Sequence, residues 1–186
     1  MVLKNLDEIY FTSDLHLHHA NIIEYCDRPF GSVELMDKTI ISNWNNTIKH
    51  GDWVFILGDF CLGDRKMWKY FLSQLPGNKI LIMGNHDRVG NIPSDKFVEV
   101  VWGFLNLEMK DPEIDGGSQR ITLCHYPMYS WYQSHKGSWQ LFGHVHEKVI
   151  EDRLSPAQVD VGVDKNNFFP ISYQGVKTQI TKNSRR

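Results

Sequence analysis

Cysteine is scarce in this chain: the 186 residues hold three, Cys26, Cys61 and Cys124, far apart and in no CxxC spacing. That count argues against a disulfide framework and a thiolate metal site, and leaves the three as small buried hydrophobes. A dominant charge sign is lacking too, since 20 Lys and Arg face 22 Asp and Glu for a formal net charge of −2. No global basic field is available to hold the protein on duplex nucleic acid, so a small or locally gripped substrate is favoured. Apolar runs long enough to cross a membrane are absent, and residues 1–7 lack the apolar segment of a secretory leader, so the expected location is the cytoplasm. Repeats and low-complexity tracts are missing, and the ending Lys182–Arg186 reads as a solvated tail.

What remains is a chain of ordinary globular composition, expected to form one domain over residues 1–186. Short apolar runs bounded by turn residues recur at Ile9–Thr12, Trp53–Leu57, Lys79–Met83, Ile121–Cys124 and Trp139–Phe142, the pattern of buried strands. Helical stripes lie between them, one in Val33–Ile48 and one in Lys66–Leu75. Alternating strands and helices predict an α/β layered fold. Phe97–Leu107 followed by Asp115-Gly116-Gly117 predicts a hairpin, hence a mixed second sheet. Trp44, Trp53 and Trp68 are assigned to the core.

Each predicted strand runs directly into a polar cluster: Ser13-Asp14-Leu15-His16, Gly58-Asp59, Gly84-Asn85-His86-Asp87, His125, and Gly143-His144-Val145-His146. Ligands bind beyond the carboxyl ends of strands in open α/β sheets, so five loops are expected to converge on one place. Carboxylate, carboxamide and imidazole suit hard-to-borderline divalent ions, and the absence of cysteine from the clusters speaks for a hydrolytic site over a structural zinc site. Strand alternation is expected to put Asp14 and His16 on one side, and His144 and His146 likewise. A strand-end Asp or His taken alone is more often a turn residue or cap. Capping does not explain Gly-Asn-His-Asp or Gly-His-x-His. His18, His19, His50 and His135 carry no such pattern; for His18 and His19 a helix-start or surface role is favoured, with a place near the mouth of the site as the alternative.

Taken in order, Asp14-x-His16, Gly58-Asp59, Gly84-Asn85-His86-Asp87, His125 and Gly143-His144-x-His146 closely resemble the motifs of the calcineurin-like metallophosphoesterase superfamily. Asn21–Phe30 and Asp160–Asp164 look like its small, cap-less bacterial and phage branch. The resemblance implies a four-layer α-β-β-α sandwich with two mixed sheets, and a centre of two divalent ions. Manganese is the first expectation for them, with Fe, Zn or Ni as alternatives. It makes Asp14, His16 and His146 ligands of one ion, Asn85, His125 and His144 ligands of the other, and Asp59 the bridge. Two such ions about 3.5–4 Å apart activate a shared water and neutralise charge during in-line displacement. His86 is the expected general acid, with Asp87 orienting it; Asn85 and Arg28 are candidate substrate-binding residues, Arg28 as a phosphate clamp or, equally, as a surface cation in a salt bridge. Protein Ser/Thr phosphatases continue their Gly-Asp with Asp-Arg-Gly; here Phe60-Cys61-Leu62-Gly63 follows, which disfavours a phosphoprotein substrate.

The expected activity is therefore phosphodiester hydrolysis on small or nucleotide-type substrates. The alternatives are a phosphomonoesterase and a non-catalytic binding module on the same fold. A nuclease, gripping through a local groove of Arg65, Lys66 and Lys69, is not favoured, because those three read as a solvated helix face. Tyr126, Tyr129, Trp131 and Tyr132 offer stacking surfaces, with core packing expected for at least two. Asp52 and Asp64 read as turn residues.

Overall fold

The computed structural model describes residues 2–3, 6–146, 148 and 154–184. Its strands are β1 (Val2–Leu3), β2 (Ile9–Thr12), β3 (Trp53–Ile56), β4 (Asn78–Ile82), β5 (Glu99–Val101), β6 (Phe104–Lys110), β7 (Ser118–Cys124), β8 (Trp139–Phe142), β9 (Gln158–Asp160) and β10 (Ile171–Ser172). Its α-helices are α1 (Ile22–Tyr25), α2 (Val33–Thr47), α3 (Arg65–Leu72) and α4 (Tyr173–Asn183). The strands form two five-stranded sheets, ordered β10-β2-β3-β4-β5 and β1-β6-β7-β8-β9. Both are mixed: β10 is antiparallel to β2 in the first, and β6 to β7 in the second.

Alternation along the strands divides the apolar residues between two cores. Phe11, Phe55, Leu57, Ile80 and Ile82 of the first sheet face Leu107, Met109, Ile121, Leu123, Leu141 and Val159 of the second. The intervening residues Val54, Ile56 and Leu81 face outward, onto Met36, Ile40 and Trp44 of α2 and Trp68, Phe71 and Leu72 of α3. Each such side chain contributes about 1.5–3 kcal/mol when buried, enough to fix which face turns inward. Ser32 caps α2 by accepting from the Leu35 N–H, and Asp64 caps α3 by accepting from the N–H groups of Lys66 and Met67. Asp52 is buried and accepts from the Lys49 N–H in its turn.

Three readings of the sequence are adjusted here. The hairpin exists, but it joins β6 to β7 through Gly116 and Gly117, both at positive φ, while β5 belongs to the other sheet and the chain crosses between sheets at Trp102-Gly103. The basic ending is not wholly a tail: Lys182 and Asn183 complete α4, which buries Tyr173, Val176 and Ile180 in the inter-sheet core and anchors the Tyr173 hydroxyl on Asp111 at 2.8 Å. Arg185 and Arg186 lie outside the described residues. Trp44 and Trp68 are buried as expected, whereas Trp53 only lines the core edge. Among the described residues no helix is long and apolar enough to cross a membrane.

Candidate metal centre

Strands β2, β3, β4, β7 and β8 all deliver their carboxyl ends to one rim, and the five polar clusters meet there. The local geometry is not the strand alternation expected from the spacing. Strand β2 stops at Thr12, and Asp14 (φ 58°) and His16 (φ 50°) are both left-handed, as are Asp59 (φ 55°), His144 (φ 72°) and His146 (φ 46°). Aspartate and histidine tolerate this region better than most residues, at about 1–3 kcal/mol each. Bonds between loops hold them there: the Asp14 N–H donates to the Gly58 carbonyl at 3.0 Å, the His16 N–H to the Asp59 carbonyl at 2.9 Å, and the His144 N–H to Asp14 Oδ2 at 2.8 Å. Gly58, at φ 91°, is where the crowding requires glycine, since a Cβ there would lie 2.6 Å from the Gly84 Cα and 2.7 Å from His125 Nδ1.

At the centre stands Asp59. Its Oδ2 lies 3.4 Å from His16 Nε2 and 3.5 Å from His125 Nε2, while its Oδ1 accepts the His86 N–H at 2.9 Å. His125 Nε2 is also 2.9 Å from Asn85 Oδ1, and the His144 ring centroid is 5.0 Å from that of His125. On the other side His146 Nε2 is 3.9 Å from Asp14 Oδ1. Two overlapping groups, Asp14–His16–His146 and Asp14–Asp59–His125, each bring one ligand atom per residue within 4.8 Å of one another.

The fit to divalent ions rests on what these atoms lack. Asp14 Oδ1 and His16 Nε2 are buried without a hydrogen-bond partner, a costly state for polar atoms in a packed interior. Three imidazoles are held by their far nitrogen: His146 Nδ1 by Asp164 at 2.7 Å, His125 Nδ1 by the Leu57 carbonyl at 2.7 Å, and His16 Nδ1 by His19 Nδ1 at 3.1 Å. Each thereby turns Nε2 toward the centre, the arrangement in which an outer partner fixes a ligating ring. Burial pushes His16 and His144 below the ordinary imidazole range, so both are neutral and ligand-ready at neutral pH. Burial also lifts Asp14 to about 6. Burial alone would lower His146, but the hydrogen bond its Nδ1 donates to Asp164 and the charge of Asp14 hold it above its usual value.

Two assigned roles are corrected. The Arg28 side chain is 0% exposed, and its guanidinium is bidentate to Asp164 (2.7 and 2.9 Å) while also donating to the carbonyls of Leu15 (3.1 Å) and Asp14 (2.7 Å). It clamps the Asp14 loop and, through Asp164, His146; it is neither a phosphate clamp nor a surface residue. Asp87 does not orient the His86 ring, because its buried carboxylate accepts the N–H groups of Asp59, Phe60 and Gly84 and so ties the third cluster to the second. The aromatic run after His125 is not core: Tyr126, Tyr129 and Tyr132 are exposed and Trp131 is half-buried. Arg65, Lys66 and Lys69 are a solvated helix face as expected.

Two residues take roles that the sequence does not favour: His19, expected at a helix start or the surface, and Asp164, to which the spacing gives no role. His19 is buried against His16 and 6.1 Å from the His86 ring, and Asp164 links Arg28 to His146 across the chain. For Asp164 the only hint was its place in Asp160–Asp164. Replacing Asp164 by alanine leaves a buried guanidinium without its counter-charge, and an equilibrium urea titration is expected to show a loss of about 3–5 kcal/mol. A loss under 1 kcal/mol would overturn the clamp.

A family model for calcineurin-like phosphoesterases matches residues 8–148. An uncharacterized protein of Methanocaldococcus jannaschii is 34% identical over 184 residues, covering 96% of this chain and 94% of its own length. The gene 66 protein of Mycobacterium phage D29 is 29% identical over 180 residues, 86% of this chain and 89% of its own. A crystal structure of a protein of unknown function from Aquifex aeolicus has the same fold at TM-score 0.68 and 24% identity, over 91% of this chain and 97% of that one. The matched span carries all five polar clusters, and with it the chain belongs to the calcineurin-like phosphoesterase family.

Proposed function

We propose that the chain is a phosphodiesterase acting on small or nucleotide-type esters, with Asp14, His16 and His146 holding one divalent ion, Asn85, His125 and His144 holding a second, and Asp59 bridging. Membership of the family implies metal-dependent phosphoester hydrolysis. The observation that carries the assignment is the position of Asp59 Oδ2, between His16 Nε2 and His125 Nε2 at nearly equal distances. A pair of bound divalent ions, manganese by preference, supplies Lewis-acid charge for phosphoryl oxygens and lowers the pKa of water. The protein's part is to fix the ligands through buried hydrogen bonds and to present His86, which is exposed at the mouth and placed to give a proton to the leaving oxygen.

The test measures bound Mn, Fe, Zn and Ni by elemental analysis together with turnover of bis-p-nitrophenyl phosphate. About two ions per chain with metal-dependent turnover supports the reading; metal without turnover favours a binding module. Preferred turnover of the monoester favours a phosphatase.

Acid should strip the centre. Ligation needs Asp14 ionised and His146 deprotonated, and both bind protons more tightly than usual in the metal-free protein. Protons therefore compete more strongly as pH falls, and apparent Mn²⁺ affinity is expected to drop about tenfold per pH unit below 6 from Asp14 alone. Calorimetric titrations at pH 5.5, 6.5 and 7.5 measure this, and one unchanging affinity would refute it.

A further inference from the structure

Beside the ligand cluster, the Trp102-Gly103 crossing between the sheets borders a cleft of about 410 Å³. That size lies within the range of small-molecule sites, roughly 300–1,000 Å³. Trp102, Phe104 and Tyr126 line it with Met128 and Arg88. These three rings have no place in either core: Trp102 is 68% exposed, Phe104 53% and Tyr126 44%. The register explains why they gather. Phe104 opens β6 opposite Cys124, the last residue of β7, and Tyr126 follows His125 directly.

Continuity with the ligand cluster is direct. The cleft wall includes Gly84 and Asp87, which bracket Asn85 and His86. The Tyr126 ring centroid stands 4.9 Å from that of His125 and 4.7 Å from that of His144, so one ring borders both spaces. We infer that this cleft receives the nucleobase of a nucleotide whose phosphoryl group lies at the ligand cluster. This deepens the function proposed above and rests on it.

The chemistry of the wall selects a planar heteroaromatic group. Ring faces gain stacking energy from a flat π-system in addition to buried area, which an aliphatic ester group does not supply. Methionine sulfur packs adaptably against ring edges, and an exposed guanidinium such as that of Arg88 stacks on a base or pairs with a phosphate. Stacking is tolerant of base identity, so the site is expected to accept purines and pyrimidines, purines more tightly for their larger face.

The test is calorimetric binding of AMP, ribose 5-phosphate and inorganic phosphate to the Mn²⁺-loaded full chain and to a Trp102→Ala/Phe104→Ala variant. Comparing AMP with ribose 5-phosphate isolates the base from the sugar and phosphate. The wild-type protein is expected to bind AMP at least tenfold more tightly than ribose 5-phosphate, and the double variant to lose about tenfold of that preference. Trp102→Phe, which keeps a ring, is expected to retain most of it. Equal affinities for AMP and ribose 5-phosphate in the wild type, or a preference that survives the double substitution, overturns the base subsite while phosphate binding stays measurable. If neither Mn²⁺ nor phosphate binds the wild-type chain, the underlying assignment fails and the subsite falls with it.

Discussion

Asp59→Asn is expected to keep the fold, release at least one of the two ions and lower kcat by at least about 10²-fold. Asparagine tolerates the left-handed backbone that Asp59 adopts, and its amide oxygen can still accept the His86 N–H now bound at 2.9 Å. The Asp59 N–H keeps its bond to Asp87. What disappears is one negative charge and the oxygen set 3.4 Å from His16 Nε2 and 3.5 Å from His125 Nε2, replaced by an amide nitrogen that cannot ligate. Elemental analysis, turnover of bis-p-nitrophenyl phosphate and a thermal melt separate the possibilities. A folded variant with two ions and full turnover would remove Asp59 as the bridge, and a variant that fails to fold would contradict the retained hydrogen bonds.

The strands were legible because burial on both faces writes a continuous apolar run, as in Trp53–Ile56, and the ligand candidates because Asp, Asn and His follow each run at once. Harder to see was anything decided by a partner far along the chain. Arg28 reads as a surface cation until its counter-charge, Asp164, arrives 136 residues later. Asp87 looks like a partner for its neighbour His86, yet its carboxylate faces the backbone of Asp59 and Phe60, which only the pairing of β3 with β4 brings near. His19 carries no motif, and its burial follows from the left-handed turns at Asp14, His16 and His18 that fold the first loop over the rim. Spacing alone suggested that alternation aligns Asp14 with His16; two left-handed residues separated by one give the same convergence by another route. Helix α4 was missed because Lys182, Asn183 and Ser184 weigh toward a tail, while Tyr173, Val176 and Ile180 find their apolar partners on distant strands.

His86→Ala is expected to divide substrates by their leaving group. The His86 ring is exposed at the mouth, edge-on to His16 with centroids 5.3 Å apart, and makes no hydrogen bond to Asp87, whose carboxylate is taken up by three backbone N–H groups. The loop is anchored instead by the His86 backbone N–H on Asp59, which alanine retains, so the variant should bind its ions as before. An alkoxide leaves a phosphoryl group reluctantly unless it is protonated as it departs, whereas nitrophenolate departs without that help. For an ester with an alkyl leaving group the rate should fall by about 10²–10⁴-fold, the usual contribution of a positioned general acid. For bis-p-nitrophenyl phosphate the fall should be much smaller, and the dependence of rate on leaving-group pKa should steepen. Equal losses on both substrates with metal content unchanged would show that the imidazole steadies the phosphoryl oxygens without delivering a proton. In that case solvent is left as the proton source, because Asp87 is buried and already committed to the backbone.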